Sequence, residues 1–501
     1  MKILSIAIIV AAVPILQAQA ATPRNYIFFL PDGYGPASEV FARDYANFIN
    51  NDTVTLPVDE MAIGYVRTKA TDTYVTDSAA AATAYASGVK TYNGAIGVDD
   101  DYLPLGSVFE AAKLAGYHTG LVVTSRITHA SPAGFATHIW DRDEESTIAD
   151  QLIGYSHPLG RVVDIMMGGG RCFFLPSSDP DSCRDNDFDL WSYAQNSSWT
   201  MTDTRTDFDN LRNGFANASL PFAFLPNLDH MMYEADRDSK LEPSLTEMVS
   251  TTLNWLDTVT EDTEKGYFLF LEASRIDHAG HAHDPIGHLH DILEYNRAML
   301  TVRQWIDKHP DTALLSCADH ECGGLTLGTP DYFWYPGVLT ASRTAGFYAD
   351  IYSEITAQNY SSSELEAAVI TQVFEPYGIL NGTAAEVSAL VESEDPAIYI
   401  GELLSKRASI NWSTLGHTAV DITLFGYGMN TMEMVGSYEN TDVGQFMAAQ
   451  LNLNVHNVTK MLNANESFVQ SIAPPSEEAK LRKRYFYEHE HGLMHAAGHK
   501  H

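Results

Sequence analysis

Long apolar runs alternate with stretches of helical character along most of the chain. Five runs predict buried β-strands, over residues 26–30, 119–125, 162–168, 266–272 and 312–319. Three stretches between them predict α-helices, at about residues 105–116, 244–259 and 287–307. Uninterrupted apolar strands that alternate with helices are buried on both faces. The pattern therefore predicts an α/β fold, with a mostly parallel central sheet and helices on both of its faces.

The regular alternation loosens between residues 323 and 415, where short mixed segments are rich in Thr, Ser, Tyr and Glu. We interpret this region as an insertion or small subdomain inside one large domain that spans residues 21–472. The C-terminal stretch, residues 473–501, is charged and rich in His, and this composition predicts a weakly ordered tail.

The N-terminus has the pattern of a secretory signal peptide. Lys2 is followed by an apolar run over residues 3–16, and residues 18–20 read Ala-Gln-Ala, a small-x-small cleavage site. Residues 1–20 are therefore expected to be removed after Ala20. The alternative is an uncleaved anchor, for which the run is short. Elsewhere the sequence offers no apolar window of about 18 residues, so we expect a secreted protein without a membrane anchor, with delivery to a vacuole as the alternative.

Two further features agree with a secretory route. Of the four cysteines, Cys172 and Cys183 are expected to form a disulfide, and the sequence leaves open whether Cys317 and Cys322 also pair. Sequons of the Asn-x-Ser/Thr type predict a glycoprotein. Eight asparagines occupy such sequons: Asn51, Asn196, Asn217, Asn359, Asn381, Asn411, Asn457 and Asn465.

Composition narrows the possible partners. The 501 residues are 45% hydrophobic and 19% charged, which is enough for a large core. The formal net charge of −35 disfavours binding to nucleic acids and to anionic membranes. If the substrate is an anion, its site must supply cations that overcome this field.

Carboxylates follow three of the predicted strands. Asp32, Glu272 and Asp319 stand at the ends of the strands over residues 26–30, 266–272 and 312–319. In sheets of this kind, functional groups collect at the carboxyl ends of the strands. A carboxylate that follows a fully apolar strand is partly buried and needs a cation or hydrogen bonds.

Histidines near these carboxylates have spacings that suit a metal ion. Asp277 and His281 are four residues apart, so on a helical turn they share a face. Asp319 and His320 are adjacent and offer one oxygen and one nitrogen, a combination that zinc accepts. His417 lies near a strand start. Each segment alone also has an interpretation without a metal ion. The segment with Asp277 and His281 could be a His-rich surface loop, and Asp319 could lie in a turn where hydrogen bonds satisfy its carboxylate.

Ser78 stands at the head of an alanine run that strongly favours a helix. Asp77 and Ser78 lie where this helix begins, and Gly88 lies where it ends. Asp and Ser are preferred N-cap residues, so Ser78 is either a cap or a nucleophile at the positive end of the helix.

Six motifs in order carry a resemblance to a known family: PDGYG, TDSAAAATAYASGVKT, ITHASPAGFATH, LEASRIDHAGHAHD, ADHECGG and GHTAVD. The chain resembles the alkaline phosphatases over nearly its whole mature length. Each motif is weak alone, whereas the six in this order are specific. The resemblance favours the nucleophile for Ser78, which could cap the helix as well.

The resemblance implies a role for each of twelve residues. Ser78 corresponds to the serine that becomes phosphorylated, and Arg142 to the arginine that holds phosphate. His129 and His278 correspond to positions near the substrate and the metals. The implied metal ligands are Asp32, Asp319 and His320 for one zinc ion, Asp277, His281 and His417 for a second zinc ion, and Asp32, Ser131 and Glu272 for a magnesium ion.

Two positions distinguish branches of the family. His129 and His278 replace the Asp and Lys of the well-known bacterial enzymes, and this pair resembles the animal branch. Whether the chain has the calcium site of that branch is left undecided, because Glu242 fits one of its positions but Leu225 falls where a carboxylate is needed.

The function implied is hydrolysis of small phosphate monoesters to inorganic phosphate through a phosphoserine, with two zinc ions and one magnesium ion, in a secreted homodimer. One alternative is a related metal-dependent phosphodiesterase or sulfatase. Another is a secreted glycoprotein that binds phosphate or metal without turnover.

Overall fold

A ten-stranded sheet forms the centre of the protein in a computed structural model, which describes residues 21–216, 219–330 and 332–481. Four further strands form two small ribbons. The strands are β1 (Asn25–Pro31), β2 (Ala62–Arg67), β3 (His118–Arg126), β4 (Ile165–Gly169), β5 (Thr200–Thr202), β6 (Phe222–Phe224), β7 (Tyr267–Ala273), β8 (Thr312–Ser316), β9 (Glu321–Cys322), β10 (Thr326–Leu327), β11 (Ile410–Asn411), β12 (His417–Thr418), β13 (Ile422–Gly428) and β14 (Gly436–Glu439).

The strand order in the large sheet is β14-β2-β13-β8-β1-β7-β3-β4-β6-β5. All neighbouring strands pair in parallel except β13, which is antiparallel to both β2 and β8. The prediction of an α/β fold with a mostly parallel central sheet is confirmed. The five predicted strands correspond to β1, β3, β4, β7 and β8, although β8 ends three residues earlier than expected, at Ser316.

Helices cover both faces of this sheet. They are α1 (Pro36–Asn50), α2 (Ser78–Ser87), α3 (Val108–Leu114), α4 (Ala130–Ala136), α5 (Glu145–Leu152), α6 (Leu190–Asn196), α7 (Arg205–Asn210), α8 (Leu245–Thr260), α9 (Arg275–His281), α10 (Pro285–Ile306), α11 (Ala345–Thr356), α12 (Ser362–Val369), α13 (Ala384–Glu392), α14 (Pro396–Ala408), α15 (Asn440–Gln450), α16 (Val455–Asn463) and α17 (Glu466–Ile472).

Strand β1 shows how the two faces are filled. Every residue of β1 is buried, and its side chains alternate between two apolar clusters. Ile27 and Phe29 pack with α8 and α10, whereas Tyr26, Phe28 and Leu30 pack with α2 and α3. The strict alternation follows from the two-residue period of a strand, and the resulting burial fixes β1 at the middle of the sheet.

The region between residues 323 and 415 contains α11 to α14 and the ribbon of β10 and β11. Its buried residues Phe374, Leu390 and Leu404 belong to the same apolar cluster as α8 and α10. The region is therefore packed onto the core of the main body, and its limits as a subdomain stay a prediction.

Cys172 and Cys183 form the predicted disulfide, with an S–S distance of 2.14 Å. Cys317 and Cys322, whose pairing the sequence left open, are buried free thiols. Seven of the eight sequon asparagines are exposed, and the eighth, Asn217, lies outside the described residues.

The ends of the chain are described only in part. The predicted signal peptide, residues 1–20, and residues 482–501 of the predicted tail lie outside the described residues. Within the described part of the chain, every helix is too short or too polar to cross a membrane.

Candidate active site

Helix α2 begins with a cap that leaves Ser78 available. Asp77 is the N-cap residue, and its Oδ1 accepts a hydrogen bond from the Ala80 N–H at 2.9 Å. Ser78 is the first residue inside the helix and is buried. Its Oγ lies 3.2 Å from Nε2 of His320. Of the two cap candidates in the sequence, Asp77 is the cap, so the Ser78 hydroxyl is left to contact His320.

Strand register brings the predicted carboxylates to one edge of the sheet. Leu30 of β1 pairs with Glu272 of β7, and Asp32 directly follows the last residue of β1. Asp319 follows the neighbouring strand β8, and its Oδ1 accepts a hydrogen bond from the Gly33 N–H at 3.2 Å. Asp32, Glu272 and Asp319 are all completely buried. This is the arrangement that the strand-end pattern predicted.

Gly33 makes the close approach in this corner possible. Its φ of +73° lies in the left-handed region, and a Cβ there would come within 2.6 Å of the Asp277 Cα. A side chain at this position is therefore excluded both by backbone conformation and by space. The turn after β1 can thus pack directly against the start of α9.

Asp32, Asp319 and His320 form one group, and the Ser78 hydroxyl contacts its histidine. Nε2 of His320 lies 3.1 Å from Oδ2 of Asp319 and 3.8 Å from Oδ1 of Asp32. Burial, reinforced by the charges of Asp319 and Asp277, raises the pKa of Asp32 well above its usual range. Burial also acts on Asp319, but its neighbour His320 outweighs it and lowers the pKa of Asp319.

Asp277, His281 and His417 form a second group. Nδ1 of His281 lies 2.5 Å from the Leu415 carbonyl oxygen, and Nδ1 of His417 lies 2.9 Å from that of Thr76. A carbonyl oxygen only accepts, so each ring donates from Nδ1 and its Nε2 faces the rest of the group. These two Nε2 atoms are 3.1 Å apart, and that of His281 is 3.2 Å from Oδ2 of Asp277.

Lone pairs and a carboxylate that face each other repel unless a cation lies between them. Burial, together with the nearby His320, lowers the pKa of His417 well below its usual range, so His417 presents a neutral ring with a lone pair at Nε2. A histidine whose other nitrogen donates to a backbone carbonyl is the usual form of a metal ligand. The second group therefore fits a divalent metal ion.

Glu272 and Ser131 form the third predicted set. Oε2 of Glu272 accepts hydrogen bonds from Ser274 Oγ at 2.6 Å and Ser125 Oγ at 3.1 Å. Burial raises the pKa of Glu272 to about 7, against the opposing effect of the hydroxyls of Ser274 and Ser131. Ser131 thus lies beside Glu272, as the predicted magnesium site requires.

The carboxylates have more acceptor atoms than the protein has donors for them. A buried charged oxygen without a partner is strongly unfavourable, so this surplus requires cations. The structure therefore fits a set of metal ions. Within the described residues, the buried carboxylate oxygens of the site without a hydrogen-bond partner are both oxygens of Asp32, Oε1 of Glu272, Oδ1 of Asp277 and Oδ2 of Asp319.

The raised pKa of Glu272 gives a pH dependence of stability in the metal-free protein. The folded protein keeps the Glu272 proton up to about pH 7, whereas the unfolded chain releases it near 4.5, the ordinary pKa of a glutamate. The folded state binds more protons in this window, so stability falls as pH rises through it. Without metal, the free energy of unfolding of wild type relative to Glu272→Gln should fall by about 3 kcal/mol between pH 4.5 and 7.

Denaturant unfolding of both proteins across this range measures the effect. The Gln side chain keeps the shape of Glu272 and has no proton to lose, so it is the matched control. Saturating Mg²⁺ should abolish the fall in wild type, because a cation at Oε1 stabilises the ionised form. If the free energies of unfolding of the two metal-free proteins changed in parallel with pH, the raised pKa of Glu272 would be contradicted.

Arg142 is buried next to the start of α2. Its Nη1 donates to Oδ2 of Asp77 at 3.1 Å, and its Nη2 donates to Nε2 of His129 at 3.0 Å. Burial, with the adjacent Arg142 charge, lowers the pKa of His129 well below its usual range, so His129 accepts as a neutral ring. The cap of α2 therefore also orients the guanidinium, which the sequence did not predict.

A cluster of three imidazoles lies beside Arg142. The ring centroids of His129 and His278 are 5.5 Å apart, and His230 lies 4.3 Å from His278. Nε2 of His230 contacts Nη1 of Arg126 at 2.9 Å. Burial lowers the pKa of His278 and of His230 well below their usual range. His230 was not predicted from the sequence, because it follows no predicted strand and belongs to none of the six motifs.

The position considered for calcium has other partners. Oε1 of Glu242 accepts a hydrogen bond from the Asn227 side chain, and Oε2 accepts one from the Met232 N–H at 3.0 Å. Leu225 is completely buried among apolar residues. Nothing in this arrangement points to a calcium ion.

Comparisons with known proteins agree with this geometry. The sequence profile of a family described as alkaline phosphatase matches residues 23–453. The chain is 39% identical over 453 residues to the alkaline phosphatase of Schizosaccharomyces pombe, which covers 88% of this chain and 83% of that protein. It is 38% identical over 481 residues to the repressible alkaline phosphatase of Saccharomyces cerevisiae, and this match covers 89% of this chain and 84% of that protein. The crystal structure of Thermus thermophilus alkaline phosphatase matches with a TM-score of 0.74 and 26% identity, over 90% of this chain and 98% of that chain.

Proposed function

Because the chain belongs to the alkaline phosphatase family and is therefore a metal-dependent phosphate-monoester hydrolase, we propose that it acts through a phosphoserine formed on Ser78. The observation that carries the proposal is the setting of the Ser78 hydroxyl. It lies at the N-terminus of α2, 3.2 Å from Nε2 of His320 in one metal-binding group, and the His320 ring stacks on that of His417 in the other, with centroids 3.4 Å apart. Substrate phosphate that reaches both groups would meet this hydroxyl.

The metal content of this proposal is two zinc ions and one magnesium ion. When bound, the ions supply positive charge that stabilises the attacking and leaving oxygens of an in-line displacement. The proposed ligands are Asp32, Asp319 and His320 for one zinc, Asp277, His281 and His417 for the other, and Asp32, Ser131 and Glu272 for the magnesium.

Charge explains how a protein with a formal net charge of −35 binds a phosphate dianion. The four carboxylate ligands and Asp77 contribute −5, the three divalent ions +6 and Arg142 +1, so the site carries about +2 by formal charges. The positive end of the α2 dipole adds a smaller favourable term at Ser78. The field of the whole protein is thus reversed locally.

Ser78 performs the first displacement in this scheme. Its Oγ forms a bond to phosphorus as the bond between phosphorus and the ester oxygen breaks, and the alcohol leaves. Water then attacks the phosphoserine and releases inorganic phosphate, which regenerates Ser78. The loose transition state of phosphoryl transfer requires mainly positioning and positive charge from the protein.

Arg142 binds two phosphate oxygens in this proposal. A guanidinium presents a planar fork that matches phosphate, and Asp77 and His129 orient it by accepting one hydrogen bond from each of its terminal nitrogens. His129 and His278 stay neutral beside it, and so complete the pocket without adding charge.

Arg142→Ala should mainly weaken phosphate binding. We expect KM and the inhibition constant of inorganic phosphate to rise by about 10-fold to 100-fold, the value of a charge-assisted pair of hydrogen bonds. Steady-state kinetics with phosphate as a competitive inhibitor measures both constants. Arg142→Lys, which keeps the charge but not the fork, should fall between wild type and Ala. An unchanged phosphate inhibition constant in the Ala variant would remove Arg142 from the binding site.

Substrate preference separates this proposal from its alternatives. A phosphodiester carries one negative charge and has no free dianionic phosphoryl group, and a sulfate ester likewise carries one charge. The protein should therefore hydrolyse a chromogenic phosphate monoester far faster than the matching diester or sulfate ester, between about pH 6 and about pH 11, with activity rising toward alkaline pH. Faster hydrolysis of the diester or sulfate ester would favour a phosphodiesterase or sulfatase. No turnover with metals bound would favour a binding protein.

The secretory properties also stay proposals. Seven exposed sequon asparagines support glycosylation of a secreted protein, which an endoglycosidase mobility shift would test. The homodimer rests on the family resemblance, and sedimentation of the purified protein would test it.

A further inference from the structure

Cys322 is placed directly opposite a proposed zinc ligand by backbone pairing. Strands β9 and β12 are antiparallel, and their register sets Cys322 against His417. Side chains of residues that pair directly across antiparallel strands lie on the same face, about 5 Å apart. The thiol of Cys322 therefore faces the same point as the His417 imidazole.

Helix α9 leaves room for this side chain. A Cβ on Gly280 would lie 3.0 Å from both Cβ and Sγ of Cys322. The absence of a side chain at Gly280 lets Cys322 pack against the helix that carries Asp277 and His281. The thiol lies 3.8 Å from the Gly416 carbonyl oxygen, a distance typical of a weak sulfur donor. It is also within hydrogen-bonding reach of the Asp277 carboxylate.

The four side chains offer their donor atoms to one point. One potential ligand atom each from Asp277, His281, Cys322 and His417 lies within 4.8 Å of the other three. An independent observation points to a cation here, since Oδ1 of Asp277 is buried and accepts no hydrogen bond from the described residues.

We propose that Cys322 is a fourth protein ligand of the metal ion held by Asp277, His281 and His417. This inference rests on the proposed function, because it assumes a metal ion in that group. Sulfur, nitrogen and carboxylate oxygen are all ligands of zinc. Zinc in catalytic sites can expand from four ligands to five, which would leave a position for the ester oxygen beside four protein ligands. A sulfur ligand also makes the site favour soft, thiophilic ions over hard ones.

Cadmium binding to the metal-free, full-length protein tests this inference. Cd²⁺ is a thiophilic analogue of zinc, and a thiolate bound to it gives a sulfur-to-metal charge-transfer absorption in the ultraviolet. We expect this absorption in wild type and its loss in Cys322→Ser. Cys317→Ser is the matched control, because Cys317 is also a buried free thiol but belongs to none of the ligand groups within the described residues. It should keep the absorption.

Bound cadmium is counted in the same samples by mass spectrometry, which separates failure of this inference from failure of the proposed function. Cadmium bound to wild type and lost in His281→Ala, but without charge-transfer absorption, would overturn the role of Cys322 and leave the metal site standing. Equal absorption in wild type and Cys322→Ser would also overturn it. Cadmium bound equally to wild type and His281→Ala would contradict the metal site itself.

Discussion

Ser78→Ala should lower kcat for phosphate monoesters by roughly 10⁴-fold, which corresponds to about 5.5 kcal/mol of transition-state stabilisation. Without Oγ, no phosphoserine can form, and only direct attack by water on the bound ester remains. The substitution removes one buried oxygen at the first position of α2 and leaves the Asp77 cap intact, so the fold should persist. Rapid acid quenching with labelled substrate, followed by peptide mass spectrometry, should find phosphate on Ser78 in wild type only.

Ser87→Ala is the matched control for this experiment. Ser87 ends the same helix, and its hydroxyl donates to the Thr83 carbonyl oxygen at 2.7 Å, away from the metal-binding groups. Its substitution should leave kcat and the labelled peptide unchanged. A Ser78→Ala variant with undiminished turnover, or phosphate found on another residue, would refute the nucleophile.

Removal of metal ions should reduce activity by roughly 10³-fold or more, since the ions supply several kcal/mol of charge stabilisation. It should also destabilise the protein, because the buried carboxylates would then face one another without cations between them. Dialysis against a chelator, followed by activity and thermal unfolding measurements, tests both effects. Zinc and magnesium together should restore activity better than either ion alone.

His320→Ala and His309→Ala provide a matched pair for the metal experiment. His309 is outside the ligand groups and stacks on Trp305 at the end of α10, with ring centroids 3.9 Å apart. Only the His320 variant should lose bound zinc. Full activity after complete removal of metal would contradict the account.

The centre of the fold could be predicted because its strands are apolar on both faces. Residues 26–30 and 266–272 form unbroken apolar runs, so periodicity alone marks β1 and β7. Strand β2 was missed because five of its six residues are partly or fully exposed. The antiparallel direction of β13 depends on pairing with β2 and β8, which no local pattern encodes.

The candidate site likewise combines residues that local sequence patterns mark with contacts that they do not. Strand-end carboxylates and the four-residue spacing of Asp277 and His281 are local signals, and the ordered motifs supplied the remaining positions. The pairing of Asp77 with Arg142 joins residues 65 positions apart, and His230 reaches the site through a loop. Such contacts are set by how elements pack together, so they emerge only from the structure.

The most direct test of the two-metal account is a crystal structure of the purified protein, with diffraction data collected on both sides of the zinc absorption edge. We expect two zinc peaks, one among Asp32, Asp319 and His320 and one among Asp277, His281 and His417. We also expect a lighter ion between Asp32 and Glu272. A single zinc peak, or zinc bound elsewhere with Ser78 remote from it, would contradict the two-metal serine mechanism.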